Sequence, residues 1–405
     1  MLTALRSSTS LLLKPSASKC HSVASLFCQD FARALSTASV HVSWHKITPT
    51  PDPVAGSPCS RSSHGVSFVG GGTSSPRLLV IGGEHIARTP ITEEEQAVWS
   101  ADYIHHDEGG GAWKWRSIAG RENGMPSFPS RLGHAQTTIG EKIYVFGGRS
   151  GIQVDEEPLN DMWVLDASGK PGMEEWSEVA YDSSLSSSPP PEARSFHKMV
   201  AVGTDLYVFG GCGASGRLAD LHKFDTTTRT WTALGTSNVL RGRGGANLIT
   251  LKNGALAVVA GFAGEETNDG HMIASDGKWA EAGMEEGLSS MRPRSVCVSA
   301  SFPHKDCAII FGGEVDPSDR GHEGAGGFQN DVTILDYQSG AHKETIQKYS
   351  SDSEWPEERG WSDGDVGQVD SSLDGESLFV FGGLSGDDKD PRRLDDLWEC
   401  RFMSE

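Results

Sequence analysis

The chain has 405 residues, with 35 Lys and Arg against 55 Asp and Glu, a formal net charge of −20. So acidic a chain argues against nucleic acid or an anionic membrane as partner, and no apolar run reaches the ~18 residues needed to span a bilayer. The 49 glycines with only 37% hydrophobic residues suit many short strands and turns. The seven cysteines (20, 28, 59, 212, 297, 307 and 400) form no CxxC pair, which speaks against a disulfide framework or structural zinc and for a reducing compartment.

Residues 1–39 differ from the rest. They are rich in Ser, Ala and Leu and carry Arg6, Lys14, Lys19 and Arg33 against a single acid, Asp30. That composition is shared by organelle transit peptides and by disordered tails, and both readings stay open. The expected location is cytoplasmic, or mitochondrial or otherwise organellar if this segment acts as a transit peptide. It is left out of the fold, which is expected over 40–405.

From about residue 40 one pattern recurs six times. An Arg leads into an apolar strand; a second strand ends in Gly-Gly; a third carries an aromatic and an Asp; a fourth carries Trp. The leading arginines are Arg61, Arg131, Arg194, Arg243, Arg294 and Arg359, and the second strands read LLVIGG, IYVFGG, LYVFGG, LAVVAGF, AIIFGG and LFVFGG. The fourth copy is read as Gly-Phe in place of Gly-Gly. Repeats of about fifty residues with this signature are kelch blades, so the expected fold is an all-β, six-bladed kelch β-propeller. The last copy ends soon after Asp395-Asp396-Leu397-Trp398 and lacks an outer strand, whereas Val40–Ile47, with Trp44, is a fourth strand with nothing before it. An N-terminal strand closing the last blade reconciles both and hides two sheet edges. Residues 84–111 are expected as an exposed loop inserted in the first blade.

Strands of a blade alternate in direction, so the loop before the first and the loop after the second share one face of the ring. That face collects the leading arginines with Glu84, Arg149, Arg217, Glu265, Glu266 and Glu314. Arg forks bind sulfate, phosphate or carboxylate in two-point fashion. The plainer role for the leading arginines is to hold backbone carbonyls or acids of the next blade. In 264–271, Asp269 and His271 are expected to be structural. The stretch 309–322 (Ile-Ile-Phe-Gly-Gly-Glu-Val-Asp-Pro-Ser-Asp-Arg-Gly-His) differs, because its third-strand Asn330-Asp331 comes later and the loop is therefore extra chain. It carries Glu314, Asp316, Asp319 and His322, oxygen and nitrogen donors suited to a divalent transition metal such as iron.

The stretches Arg61-Ser-Ser-His-Gly, Tyr144-Val-Phe-Gly-Gly-Arg149, Ala193-Arg-Ser-Phe-His197, Phe311-Gly-Gly-Glu-Val, His322 with Gly324-Ala-Gly, and Arg359-Gly-Trp361, in this order, resemble the plant specifier proteins: the nitrile-specifier, epithiospecifier and thiocyanate-forming kelch proteins of glucosinolate breakdown. The resemblance covers about residues 41–402 and implies an Fe(II) site written Glu-x-x-x-Asp-x-x-x-His. Glu314 and His322 keep that spacing; Ser318 stands where the acid is expected, and Asp319 is the nearest substitute. The implied substrate contacts are Arg149, Phe196, Arg217 and Trp361. The implied reaction is a lyase step on a small sulfated substrate, a thiohydroximate O-sulfate (the aglucone of a glucosinolate), releasing sulfate and sulfur to give a nitrile. No general base is required.

The leading alternative is a non-enzymatic kelch module that binds a protein partner on the same face. A propeller oxidase of the galactose oxidase type would need copper, two tyrosines and a crosslinked Cys, and the six tyrosines fall mostly in strands or away from the site loops. A kelch-ring sugar-acid mutarotase has only the arginines in its favour.

Overall fold

A computed structural model describes residues 40–71, 74–92, 94, 96–106, 110–118, 128–151, 157–348, 354–369 and 375–402. Residues 1–39, on which the transit-peptide expectation falls, lie outside that set. Six four-stranded antiparallel sheets follow one another. Blade one contains Gly65–Gly71, Ser74–Ile81, Val98–His105 and Gly111–Ser117. Blade two contains Ala135–Ile139, Lys142–Gly148, Leu159–Asp166 and Glu175–Glu178. Blade three contains Lys198–Val202, Asp205–Gly213, Gly216–Asp225 and Thr230–Thr236. Blade four contains Asn247–Thr250, Leu256–Phe262, Glu266–Ile273 and Trp279–Gly283. Blade five contains Val298–Phe302, Cys307–Phe311, Val332–Asp336 and His342–Ile346.

The sixth blade is closed from both ends of the chain. Its inner strands are Asp363–Gly367, Ser377–Asp387 and Asp390–Phe402, and Val42–Ile47 pairs with the last of these, Val42 opposite Phe402 through Ile47 opposite Leu397. Trp44 is buried against Phe311 of blade five, ring centroids 4.5 Å apart.

The unbroken apolar runs of the second strands follow from burial on both faces. In blade one, Leu78 and Val80 join Phe379, Phe381 and Leu397 of blade six, whereas the alternate residues Leu79 and Ile81 join Ile143, Val145 and Trp163 of blade two. A period of two with both faces buried leaves no polar position in the strand. Residues 84–111 are not the single exposed loop expected: a short hairpin, Glu84–Ile86 with Thr89–Pro90, precedes Val98–His105, which is the blade's third strand with Trp99 and Ala101 buried.

The leading arginines are structural. All six are buried, and each donates to the carbonyl of the first residue of its own blade's glycine pair, as Arg131 does to Gly147 (3.0 Å) and Arg359 to Gly382 (3.0 Å). In five blades the guanidinium also forks onto the third-strand Asp: Arg131–Asp161, Arg194–Asp220, Arg243–Asp269, Arg294–Asp331 and Arg359–Asp396. Blade one has no such Asp, and Arg61 donates to the carbonyl of Ala97 instead (3.1 Å). The acid thus comes from the same blade, not the next. Burial alone would raise the carboxyls of Asp161, Asp269 and Asp396, but the guanidinium bonds and charge outweigh it and hold them below the ordinary range.

The glycine pairs tie blade to blade. The second glycine donates to the carbonyl of the next blade's leading arginine, as Gly148 does to Arg194 (2.9 Å) and Gly383 to Arg61 (2.9 Å). Blade four keeps this bond through Gly261, so Ala260-Gly261 fills the pair positions and Phe262 lies one place beyond, which corrects the Gly-Phe reading.

Two residues after each leading arginine the backbone closes a second ring. Ser63, Gly133, Phe196, Gly245, Val296 and Trp361 all adopt left-handed φ, between 49° and 60°. Each N–H donates to the carbonyl of the equivalent residue one blade back: Gly133 to Ser63, Phe196 to Gly133, Gly245 to Phe196, Val296 to Gly245, Trp361 to Val296, and Ser63 to Trp361, all at 2.6–3.0 Å. This collar encircles the axis of the propeller.

Candidate functional site

Directly above the collar, the residue that follows each glycine pair bridges to the residue after a leading arginine. The six pairs are Glu84 with Ser62, Arg149 with Leu132, Cys212 with Ser195, Phe262 with Gly244, Glu314 with Ser295, and Leu384 with Gly360. These positions form the rim of the mouth, and the repeat presents one side chain per blade there. A cavity of about 220 Å³ opens beside them, lined among others by Phe196, Cys212, Arg217, Phe262, Glu314 and Trp361. Below the collar lies an axial tunnel of about 150 Å³ with His64, His134, His197, Lys198, Asp363 and Asp365 in its wall. Phe196, Gly245, Val296 and Trp361 line both spaces, and Phe196 and Trp361 meet edge to face, centroids 5.3 Å apart, so this part of the collar forms the partition between them.

Four of the seven sequence-predicted residues therefore share one cavity. Phe196 comes from blade three and Trp361 from blade six, both carried on the collar. Arg217 stands opposite Cys212 in the blade-three hairpin, and its guanidinium lies over the Phe262 ring at 4.5 Å. Glu314 is buried on the blade-five rim. Arg149 is set one blade aside, its Nε donating to Ser195 Oγ (3.1 Å); burial raises the Cys212 thiol, and the charges of Arg217 and Arg149 offset only part of that.

The inserted loop folds across this mouth. Glu314–Asp316 pairs with Gly327–Phe328, a short 3-10 turn covers Gly321–Glu323, and Ala325 and Phe328 pack with Leu384 and Trp361. Asp388 of blade six pins it, accepting from Ser318 Oγ (2.5 Å) and Ala325 N–H (3.1 Å). Ser318 thus faces the cavity but has its hydroxyl committed to Asp388, and Asp319 is exposed and outside the cavity lining. The side chain of His322 lies outside the described residues, although its backbone sits in the turn. Among the described residues no three His, Cys, Asp or Glu side chains gather as a metal cluster.

Two carboxylates do gather. Burial pushes the Glu314 carboxyl up to about 7, against backbone N–H groups of Ser318 and Gly326 that favour its charged form. Glu266, which begins the third strand of blade four, is pushed up to about 8 by burial and then by the neighbouring Glu314 charge. Ser295 joins the two: its Oγ donates to Glu266 Oε1 (3.1 Å), and its N–H donates to the Glu314 carbonyl (2.9 Å). Glu266 Oε2 is buried and has no hydrogen-bond partner among the described residues. A buried carboxylate oxygen without a donor, beside a second carboxylate, is an environment that a cation fits.

Sequence reasoning missed Cys212, Phe262 and Ser295. The signal was available, because Cys212 and Phe262 follow a glycine pair, the repeat position that carries Arg149 and Glu314 in other blades, and Ser295 follows a leading arginine, the position that bridges to it. Asp269 and His271 are structural, as expected: Asp269 holds Arg243, and His271 is buried between Ser237 and Trp279.

The fold and its repeat define a six-bladed kelch propeller with a cavity at its mouth. A family model of the KLHDC2/KLHL20/DRC7 kelch-repeats domain matches residues 126–313. The chain is similar to the N-(sulfonatooxy)prop-2-enimidothioate sulfolyase of Thlaspi arvense, 27% identical over 80% of this chain and 89% of the sulfolyase. Shorter likenesses are to Adagio protein 3 of Arabidopsis thaliana (29% identical over 59% of this chain and 37% of that protein) and to host cell factor of Drosophila melanogaster (32% over 31% and 9%). The solved structure of YjhT superposes with a TM-score of 0.57, covering 86% of this chain and 98% of that one at 16% identity, a likeness of fold. Among the described residues no helix is long and apolar enough to cross a membrane.

Proposed function

We propose that the mouth cavity is a specifier-type lyase site acting on thiohydroximate O-sulfates, the substrate class in the name of the Thlaspi sulfolyase. The observation that carries this reading is that Phe196 and Arg217 of blade three, Glu314 of blade five and Trp361 of blade six line one cavity. Arg217, with Arg149 beside it, would grip the sulfate and offset the charge that grows on its bridging oxygen as the N–O bond breaks. Phe196 and Trp361 would pack the variable side chain and keep water from the reacting carbon. The electron pair of the C–S bond becomes the third C–N bond, sulfate leaves with the N–O pair, and sulfur departs at the zero oxidation level. Glu314 and His322, with one further acid that the sequence reading places at Asp319, would hold Fe(II). Ferrous iron held there would supply open coordination positions for the thiolate sulfur of the substrate. No residue has to transfer a proton, which suits a rim without a His–carboxylate dyad among the described side chains.

The test mixes the protein with ferrous iron, a glucosinolate and a myrosinase, and measures nitrile against isothiocyanate. Wild type should shift the ratio toward nitrile. Arg217→Ala should lower that shift by roughly 10–100-fold, as loss of a charged donor at a transition state does. A ratio that wild type leaves at the spontaneous value would favour the protein-binding module instead.

A further inference from the structure

The two mouth arginines are held in different ways. Arg149 spends its Nε on Ser195 Oγ (3.1 Å). Arg217 is exposed, and its side chain makes no hydrogen bond or ion pair among the described residues; its guanidinium lies instead over the Phe262 ring, 4.5 Å from the centroid. We propose that Phe262 is the positioning residue of the anion grip: its ring face places the Arg217 guanidinium and leaves every N–H free for the sulfate of the ligand. This rests on the lyase reading above and adds to it a residue from blade four.

The contact is built from two blades. Arg217 stands opposite Cys212 in the hairpin between the second and third strands of blade three, where Gly213 and Gly216 pair at the tip. This hairpin lies against the entry to blade four: a Cβ on Gly242 would fall 2.1 Å from the Arg217 carbonyl oxygen, so the close approach requires glycine there. Phe262 is the rim residue of blade four, and its backbone is fixed in both directions. Its N–H donates to the Gly244 carbonyl (2.9 Å), and its carbonyl accepts from the Gly244 N–H (3.1 Å). A cation from blade three is thus laid over a ring that blade four holds still, and both residues line the mouth cavity. The ring face attracts the guanidinium because it carries the negative part of the aromatic quadrupole. A carboxylate partner would consume N–H donors and cancel the charge; a ring face does neither, so the fork stays available for two-point binding of a sulfate. An exposed arginine otherwise samples many rotamers, and the ordering cost of gripping an anion falls when the guanidinium is already placed.

The experiment measures anion binding on the full chain, without turnover. Propyl sulfate, a stable alkyl sulfate ester, is titrated by calorimetry into wild type, Phe262→Leu, Phe262→Tyr, Arg217→Ala and the Phe262→Leu, Arg217→Ala double variant, with thermal unfolding as a check that each folds. Phe262→Leu should weaken binding about three- to tenfold, the span of a cation–π contact between exposed and desolvated settings, whereas Phe262→Tyr, which keeps the ring face, should stay within about twofold. In the Arg217→Ala background Phe262→Leu should have no further effect, because the ring acts through the guanidinium. A Phe262 that merely walls the cavity would still matter in that background, and such an effect overturns the proposal. Binding unchanged in Phe262→Leu but weakened in Arg217→Ala also overturns it, and leaves the arginine grip standing. No binding by wild type overturns both the role of Phe262 and the sulfate grip of the lyase reading. Wild type that binds the ester with the expected coupling, yet leaves the nitrile ratio at its spontaneous value, upholds the role of Phe262 and overturns the lyase reading alone.

Discussion

Individual residues in this protein divide cleanly between holding the ring and furnishing the mouth. The leading arginines look like a ring of anion-binding forks in the sequence, but burial turns them inward, onto carbonyls and an acid of their own blade. Arg294 and Asp331 show it best, because both side chains are almost fully buried. Asp331→Ala should therefore cost about 3–5 kcal/mol, since it leaves a guanidinium in the core without its counter-charge. The surface pair Arg392–Glu357 should behave differently, with Glu357→Ala costing under about 1 kcal/mol. Urea unfolding of the two variants checks both figures. Arg149 and Arg217, which do reach the mouth, stand outside the regular pattern. That distinction was legible, because a residue repeated in every blade most simply serves what every blade needs. At residue scale the axial tunnel adds a pH signature. Burial pushes Asp365 up to about 7, so the folded state keeps a proton that the unfolded chain has released. Stability from this group is thus full below the unfolded value near ~4 and is lost as pH rises toward 7.

Elements are joined by backbone contacts that tolerate few side chains. At Gly383, with φ of 111°, an added Cβ would lie 2.8 Å from the Ser362 Cβ and 2.9 Å from the Gly360 carbonyl. Gly383→Ala should cost more than about 2 kcal/mol, from strain and the displaced carbonyl together. Blade four is the natural control: Ala260 already sits at φ 60° where other blades have glycine, so Ala260→Gly should change stability by less than about 1 kcal/mol. Thermal or urea unfolding of the pair reads this directly. The collar applies the same logic to function. Phe196, Val296 and Trp361 occupy left-handed backbone that favours glycine, and the closed circle of hydrogen bonds holds them there. Strain of this kind gathers where a side chain must be aimed, and all three line both the cavity and the tunnel.

The molecule as a whole is held by its closure. Val42–Ile47 supplies the outer strand of the last blade, and Trp44 sits against Phe311 and Trp355. Trp44→Ala should cost about 3–5 kcal/mol, as truncation of a buried aromatic does, and the loss should appear as a lower midpoint of one cooperative transition. Separate transitions for the blades would show that closure does not couple them.

Blade number, strand order and the closing strand could be read from the chain alone, because each depends on local and periodic features: apolar runs, glycine pairs and a displaced outer strand. So could the polar mouth, since strand direction puts those loops on one face. The third strand of blade one was hidden because it lacks the Asp that marks the others, and Phe262 was misplaced because an alanine fills a glycine's position in blade four. The link from Glu266 to Glu314 through Ser295, the committed hydroxyl of Ser318 and the meeting of Phe196 with Trp361 were decided by tertiary structure. Those residues lie in different blades, far apart along the chain, and only the closing of the ring sets the distances between them.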